Sequence, residues 1–133
     1  EGLKRLAELQ VELVKKNKPE TSEAKLEKLM EKPLKASHII AVTLKRHAGI
    51  LPEIEEILAV GCAIENMYLT ANAYGLGCYF STGGLTYIDE ARDFFNLEQE
   101  DKLIGFFYIG NKKELPDLRL NRGDIKEKVK WVE

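Results

Sequence analysis

The segment from Pro52 to Gly75 constrains this chain more than any other. Ile54, Ile57, Leu58, Gly61, Ile64, Met67, Tyr68 and Ala71 recur at helical spacing and cover much of the circumference. Glu65 is the only charged residue after Glu56. A helix apolar nearly all round is buried nearly all round, in a core or against a partner chain. Pro52 suits the first turn, where its missing N–H costs nothing. Glu53, Glu55 and Glu56 lie near the positive end of the helix dipole. Gly75 fits a left-handed C-cap that ends the helix.

The rest must be compatible with that helix. The chain has 133 residues, 44% of them hydrophobic, enough for one domain with a real core and too little for two. Leu3, Leu6, Leu9 and Leu13 predict a one-sided surface helix, stopped by Asn17-Lys18-Pro19. Ser22 can cap a short second helix carrying Leu26, Leu29 and Met30, with Pro33 closing it. The apolar runs 38–44, 77–80 and 102–110 read as buried strands, since nearly every position is apolar and not every second one. Thr86, with Asp89 three positions on, predicts the cap of a helix burying Ile88, Ala91 and Phe94 or Phe95. Ile125 to Val132 alternates and predicts an edge or exchanged strand. Together these elements predict an α+β fold, a mixed sheet covered by helices.

Charge excludes some functions. Charged residues are 32% of the chain but nearly cancel, to a net −2, so no basic stripe suggests nucleic acid. No apolar run is long enough to span a membrane and no leader is recognisable, which points to the cytoplasm. Cys62 and Cys78 form neither CxxC nor a zinc pattern; both are expected to be inert core thiols. His38 reads as structural and His47 as a solvated loop residue. No Ser-His-Asp or Cys-His arrangement can be placed, and no carboxylate pair stands isolated in an apolar setting. No catalytic side chain and no metal site is therefore assigned.

The most informative stretch is Gly75-Leu76-Gly77-Cys78-Tyr79-Phe80-Ser81-Thr82-Gly83-Gly84. It is not a dinucleotide fingerprint, because Phe80 stands where the third glycine belongs and the order is helix then strand. Glycines at a strand end let backbone approach a flat ligand and leave N–H groups to donate. The plain alternative is a strand-to-helix loop with glycine for turn geometry. Arg119 and Arg122 follow the last strand in a polar loop; either could hold a phosphate or be a solvated charge.

The run from Ile57 to Met67, then GLGCYFSTGG, then Glu100 to Gly110 resembles the nitroreductase family, closest to its small, minimal members. The resemblance implies an α+β, mainly antiparallel sheet flanked by helices, assembled as a homodimer with one FMN at each of two sites between the subunits. It implies hydride uptake from NADH or NADPH and electron delivery to nitroaromatic, quinone or related acceptors. Phe80, Ser81, Thr82, Gly83 and Gly84 would lie along the isoalloxazine, mainly through backbone. Arg122 would reach the flavin phosphate, the long helix would form the dimer interface, and the tail with Trp131 would cross to the partner. The family's N-terminal arginine-serine motif would be expected before Glu1, making residues 1–133 a single domain without its first segment. A flavin-binding or non-catalytic module of the same fold is the alternative function.

Overall fold

A computed structural model describes residues 1–113 and 123–132. Helix α1 covers Gly2–Asn17 and α2 covers Glu23–Leu34. They are followed by strand β1 (His38–Leu44), helix α3 (Glu53–Ala73) and strand β2 (Leu76–Ser81). A 3₁₀ turn at Gly84–Tyr87, the short helix α4 (Ala91–Phe94) and strand β3 (Lys102–Asn111) complete the main body. Among the described residues the sheet is three-stranded and antiparallel, in the order β1-β3-β2.

The most apolar strand takes the central place. Phe106 and Phe107 of β3 are buried on opposite faces. Phe106 joins Leu6, Leu13, Val14, Leu85, Ile88, Ala91 and Leu103 in a core between the sheet and α1. Phe107 meets α3 on the other face, with the Tyr68 ring edge-on at 4.9 Å. The helix boundaries follow the chain's punctuation: α1 stops at Asn17, and Gly75 after α3 takes φ +71°.

Several expectations are corrected. Pro33 lies inside α2, one residue before its end. A last-turn proline clashes only with what precedes it, so the helix runs on to Leu34. The outer strand β1 alternates exposed and covered residues and is not buried on both faces. Thr86 starts no helix: its hydroxyl donates to the Thr82 carbonyl, and the chain makes a 3₁₀ turn before α4. The tail forms no strand among its described residues; Ile125–Glu127 is a single 3₁₀ turn capped by Asp124, whose side chain accepts from the Lys126 N–H. Alternation gives a strand only where an edge is available to pair with.

The largest difference concerns α3. Within this chain it buries only Glu56 and Ala71. Ile54, Leu58 and Leu69 are each about 60% exposed, and Cys62 is an exposed thiol, not a core one. The three-stranded sheet lies along one side of the helix, and residues on its other side are exposed within this chain.

Candidate functional site

Strands β1 and β2 both run antiparallel to β3, so their carboxyl ends point the same way, β1 ending opposite Lys102 and β2 opposite Phe106. The loops after them, 45–51 and 82–84, therefore share one end of the sheet. This end carries the residues that the sequence singles out.

Phe80 and Ser81 are the last residues of β2 and are partly covered; Thr82, Gly83 and Gly84 are exposed. The Phe80 N–H points away from β3 and donates to the Tyr68 hydroxyl of α3 at 2.6 Å. The Phe80 ring lies against Gly105 of β3. A Cβ at Gly105 would stand 2.5 Å from that ring and 2.7 Å from the Ser81 carbonyl oxygen. The glycine thus lets the end of β2 lie close on the central strand. The Ser81 hydroxyl accepts from Lys32 of α2 at 3.3 Å. Two groups brace Thr82: the Thr86 hydroxyl at its carbonyl, and the Tyr87 hydroxyl 3.5 Å from its Oγ1.

Held this way, the loop presents free backbone. Among the described residues no group accepts from the N–H of Thr82, Gly83 or Gly84. Gly83 has φ −83° and open surroundings; a Cβ there would meet only the Ser81 hydroxyl, at 3.8 Å. Gly84 is different. Its φ of +72° and the Gln10 amide 2.9 Å from an added Cβ make it a structural glycine. Thr82, Thr86, Tyr87, Asp89 and Arg92 border an open cleft of about 560 Å³. That is within the roughly 300–1,000 Å³ of pockets that hold small ligands and cofactors. Unsatisfied donors on a braced strand end, with no side chain in the way, suit the polar edge of a flat ring.

The neighbouring loop supplies what the sequence did not disclose. Arg46 and Glu56 form an ion pair with both side chains at least 90% buried. The Glu56 carboxylate also accepts from the His47 backbone N–H and touches His47 Nδ1, each at 2.9 Å. His47 is exposed, as expected of a loop residue, and is also tied to α3. Asp101, buried just before β3, accepts from the Arg46 N–H at 2.9 Å and the Glu98 N–H at 3.1 Å. Those two backbone donors, Arg46 first, hold its carboxyl below the usual carboxylate range; Lys45 and Arg92 add to this and burial opposes it. Nothing in the sequence marked Glu56 or Asp101, because a charge on a helix or in a connector normally faces water. Burial of the intermediate residue Cys78 pushes its thiol up, away from reactivity.

Arg119 and Arg122 lie outside the described residues. The described part of the tail holds Trp131, 87% exposed. No cluster of His, Cys, Asp and Glu among the described residues could hold a metal ion, and no described helix is long and apolar enough to cross a membrane.

Comparison with known proteins bears on the family and the fold. The model of the nitroreductase family matches residues 1–111. YdjA of Escherichia coli K12, whose name assigns it provisionally as an NAD(P)H nitroreductase, is 30% identical over 100 residues, covering 74% of this chain and 55% of YdjA. The same protein from Escherichia coli O157:H7 matches equally. The chain therefore spans about half the length of the curated relatives it matches. A nitroreductase-like family protein from Bacillus cereus superposes with a TM-score of 0.81 at 23% identity, over 100% of this chain and 69% of that one. A nitroreductase family protein from Streptococcus pneumoniae TIGR4 gives 0.51 at 14% identity, over 95% and 58%. These two likenesses bear on the fold, which is the nitroreductase-like α+β arrangement. With the family model matched over most of its length, the chain belongs to the nitroreductase family.

Proposed function

We propose that this chain belongs to an FMN-dependent NAD(P)H oxidoreductase. In this reading it is cytoplasmic and works as a homodimer with its flavin sites between subunits. Electrons pass from a nicotinamide to nitroaromatic, quinone or related small acceptors. The observation that carries the reading is the braced end of β2, with unpaired N–H donors at Thr82 and Gly83 and an open surface over Gly83. Bound FMN would supply the hydride and electron transfer that no side chain here can perform.

The chain's own residues bind and orient. The N–H groups of Thr82 and Gly83 donate to the polar edge of the ring, while Phe80, through Tyr68 and Gly105, fixes how far the loop extends. Ser81 and Gly84 set the two ends of the turn. Arg122 is the proposed charged partner of the phosphate. Donors held by a rigid scaffold need no reorganisation when charge develops beside them.

Gly83 provides the test. A Cβ there meets only the Ser81 hydroxyl, at an ordinary van der Waals distance of 3.8 Å, so Gly83→Val should fold with a melting midpoint close to wild type. It should retain FMN at least tenfold less well than wild type, whereas Ser81→Ala should change retention little. Flavin absorbance after gel filtration reads both. Equal flavin occupancy in wild type and Gly83→Val overturns this placement. A chain that holds FMN but fails to oxidise NAD(P)H with any acceptor is a flavin-binding module of the same fold and not an oxidoreductase.

A further inference from the structure

A second cavity lies on the opposite side of β2 from α3, under α2. It measures about 270 Å³, and Lys32, Gly77, Cys78, Tyr79, Tyr108 and Gly110 are among the residues lining it. That is below the roughly 300–1,000 Å³ of pockets holding drug-sized ligands and far too small for a flavin or a nicotinamide dinucleotide. It is a shallow, open depression, and a molecule the size of one substituted ring is what can lie in it.

Of the two lysines that line it, Lys35 is paired with Glu31, so its chemistry is set by Lys32. The Lys32 ammonium stands 5.0 Å from the Tyr108 ring centroid and 5.3 Å from that of Tyr79. An ammonium has three donors. The Lys32 group spends one, at 3.3 Å, on the Ser81 hydroxyl. Among the described residues no carboxylate lies within ion-pair distance of it, and the nearby Glu31 is taken by Lys35 at 2.9 Å. The side chain is only partly solvated, so part of its hydration is replaced by ring faces, which attract a cation but accept no conventional hydrogen bond. Around it the walls are the tyrosine rings, Ile109, and a strand backbone bared by Gly77 and Gly110.

From this arrangement we infer that the Lys32 cavity is a binding site for a small aromatic carboxylate, its anionic oxygens on the ammonium and its ring laid against the mutually contacting Tyr79 and Tyr108 side chains, whose centroids are 6.2 Å apart. Charge-assisted hydrogen bonds of this kind are about twice as strong as neutral ones, which favours the anion over its uncharged amide. Stacking on the tyrosines favours a planar body over a saturated one. Bound oxygens share the ammonium with Ser81, so occupancy is felt at the last residue of β2. The inference stands apart from the flavin reading, because the cavity and the cation are present whether or not the loop beyond Ser81 holds a cofactor.

Benzoate and benzamide are the probes, titrated into the full chain and followed by amide chemical shifts. Benzoate is expected to move the signals of Gly77, Cys78, Tyr79, Tyr108 and Gly110, with Ser81 responding, and to bind at least tenfold more tightly than benzamide. Cyclohexanecarboxylate should bind more weakly than benzoate. Lys32→Met should weaken benzoate at least tenfold. If that variant does not fold, the benzoate-to-benzamide ratio on the unaltered chain still decides. Equal binding of acid and amide overturns the proposal. So does the absence of shifts at millimolar benzoate, and so do shifts confined to residues 82–84.

Discussion

Gly105 and Asp101 show how single atoms fix the shape of this site. A methyl group at Gly105 would occupy space already filled by the Phe80 ring and the Ser81 carbonyl, 2.5 and 2.7 Å away. Overpacking of this kind costs typically about 1–3 kcal/mol. Gly105→Ala should therefore lower stability by that amount in chemical denaturation, and it should displace Phe80 from the Tyr68 hydroxyl. A denaturation midpoint within error of wild type would show that β2 can move off the central strand. Asp101 acts through charge. Its folded-state carboxyl titrates below the ordinary value, chiefly because the Arg46 and Glu98 N–H groups donate to the ionised form. A depressed pKa adds stability that is fully present above the unfolded-state value, near 3.9. That stability is lost as pH falls through the folded value beneath it. Thermal midpoints of wild type and Asp101→Asn should differ at neutral pH and converge as the solution is acidified below about pH 4. A constant difference across that range would sink the assignment. Neither residue was legible in the sequence. Gly105 read as one more position in an apolar strand, and Asp101 as part of a polar connector.

At the scale of elements, reading was most successful where pattern and punctuation agree. The ends of α1 and α3 and the three strands lie where Asn17-Lys18-Pro19, Pro52, Gly75 and the apolar runs place them. It failed where an element's state depends on neighbours that sequence does not reveal. Apolar β1 reads like a central strand, yet β3, later in the chain, takes the centre and leaves β1 outside. Thr86 has a capping residue's chemistry but spends its hydroxyl on Thr82. The loop after β1 looked like solvated basic residues, while Arg46 and His47 in fact bind it to Glu56 at the start of α3. That tie has a measurable consequence. Removing one partner of a buried ion pair leaves the other uncompensated, at about 3–5 kcal/mol. Glu56→Ala should lose stability on that scale. The double variant Arg46→Met, Glu56→Leu should recover most of it, since an apolar pair of similar volume avoids the desolvation penalty. If the double variant is as unstable as the single one, the backbone bond from His47 to Glu56, and not the charge pair, holds the loop.

For the molecule as a whole, surface area argues for a partner. The chain exposes 10374 Å². A compact monomer of its 15.1 kDa would expose roughly 7,000 Å². Part of the excess is the outer side of α3, where Ile54, Leu58 and Leu69 line up with Gly61, Cys62 and the exposed Glu65 between them. The sequence announced that this helix must be covered nearly all round, and the single chain covers one side. Gly61 has open space where a Cβ would be, so a second helix can approach closely at the middle of the stripe. An isologous two-fold contact uses the same stripe twice and needs no other complementary surface. A standard interface hides about 800 Å² on each partner, and Ile40 and Tyr74, both exposed, flank this helix face. We therefore expect the wild-type chain to sediment as a dimer. A glutamate at Leu58 would face its own copy, or the partner's apolar stripe, across the contact, and burying a charge without a partner is prohibitive. Leu58→Glu is expected to shift sedimentation to monomer, while the core around Phe106 and its near-ultraviolet signal persist, because no α3 residue contributes to that cluster. Glu12→Lys, on the exposed side of α1, serves as the control for charge alone. Wild type sedimenting as monomer, or Leu58→Glu remaining dimeric, would place the interface elsewhere and leave the apolar side of α3 for a different partner.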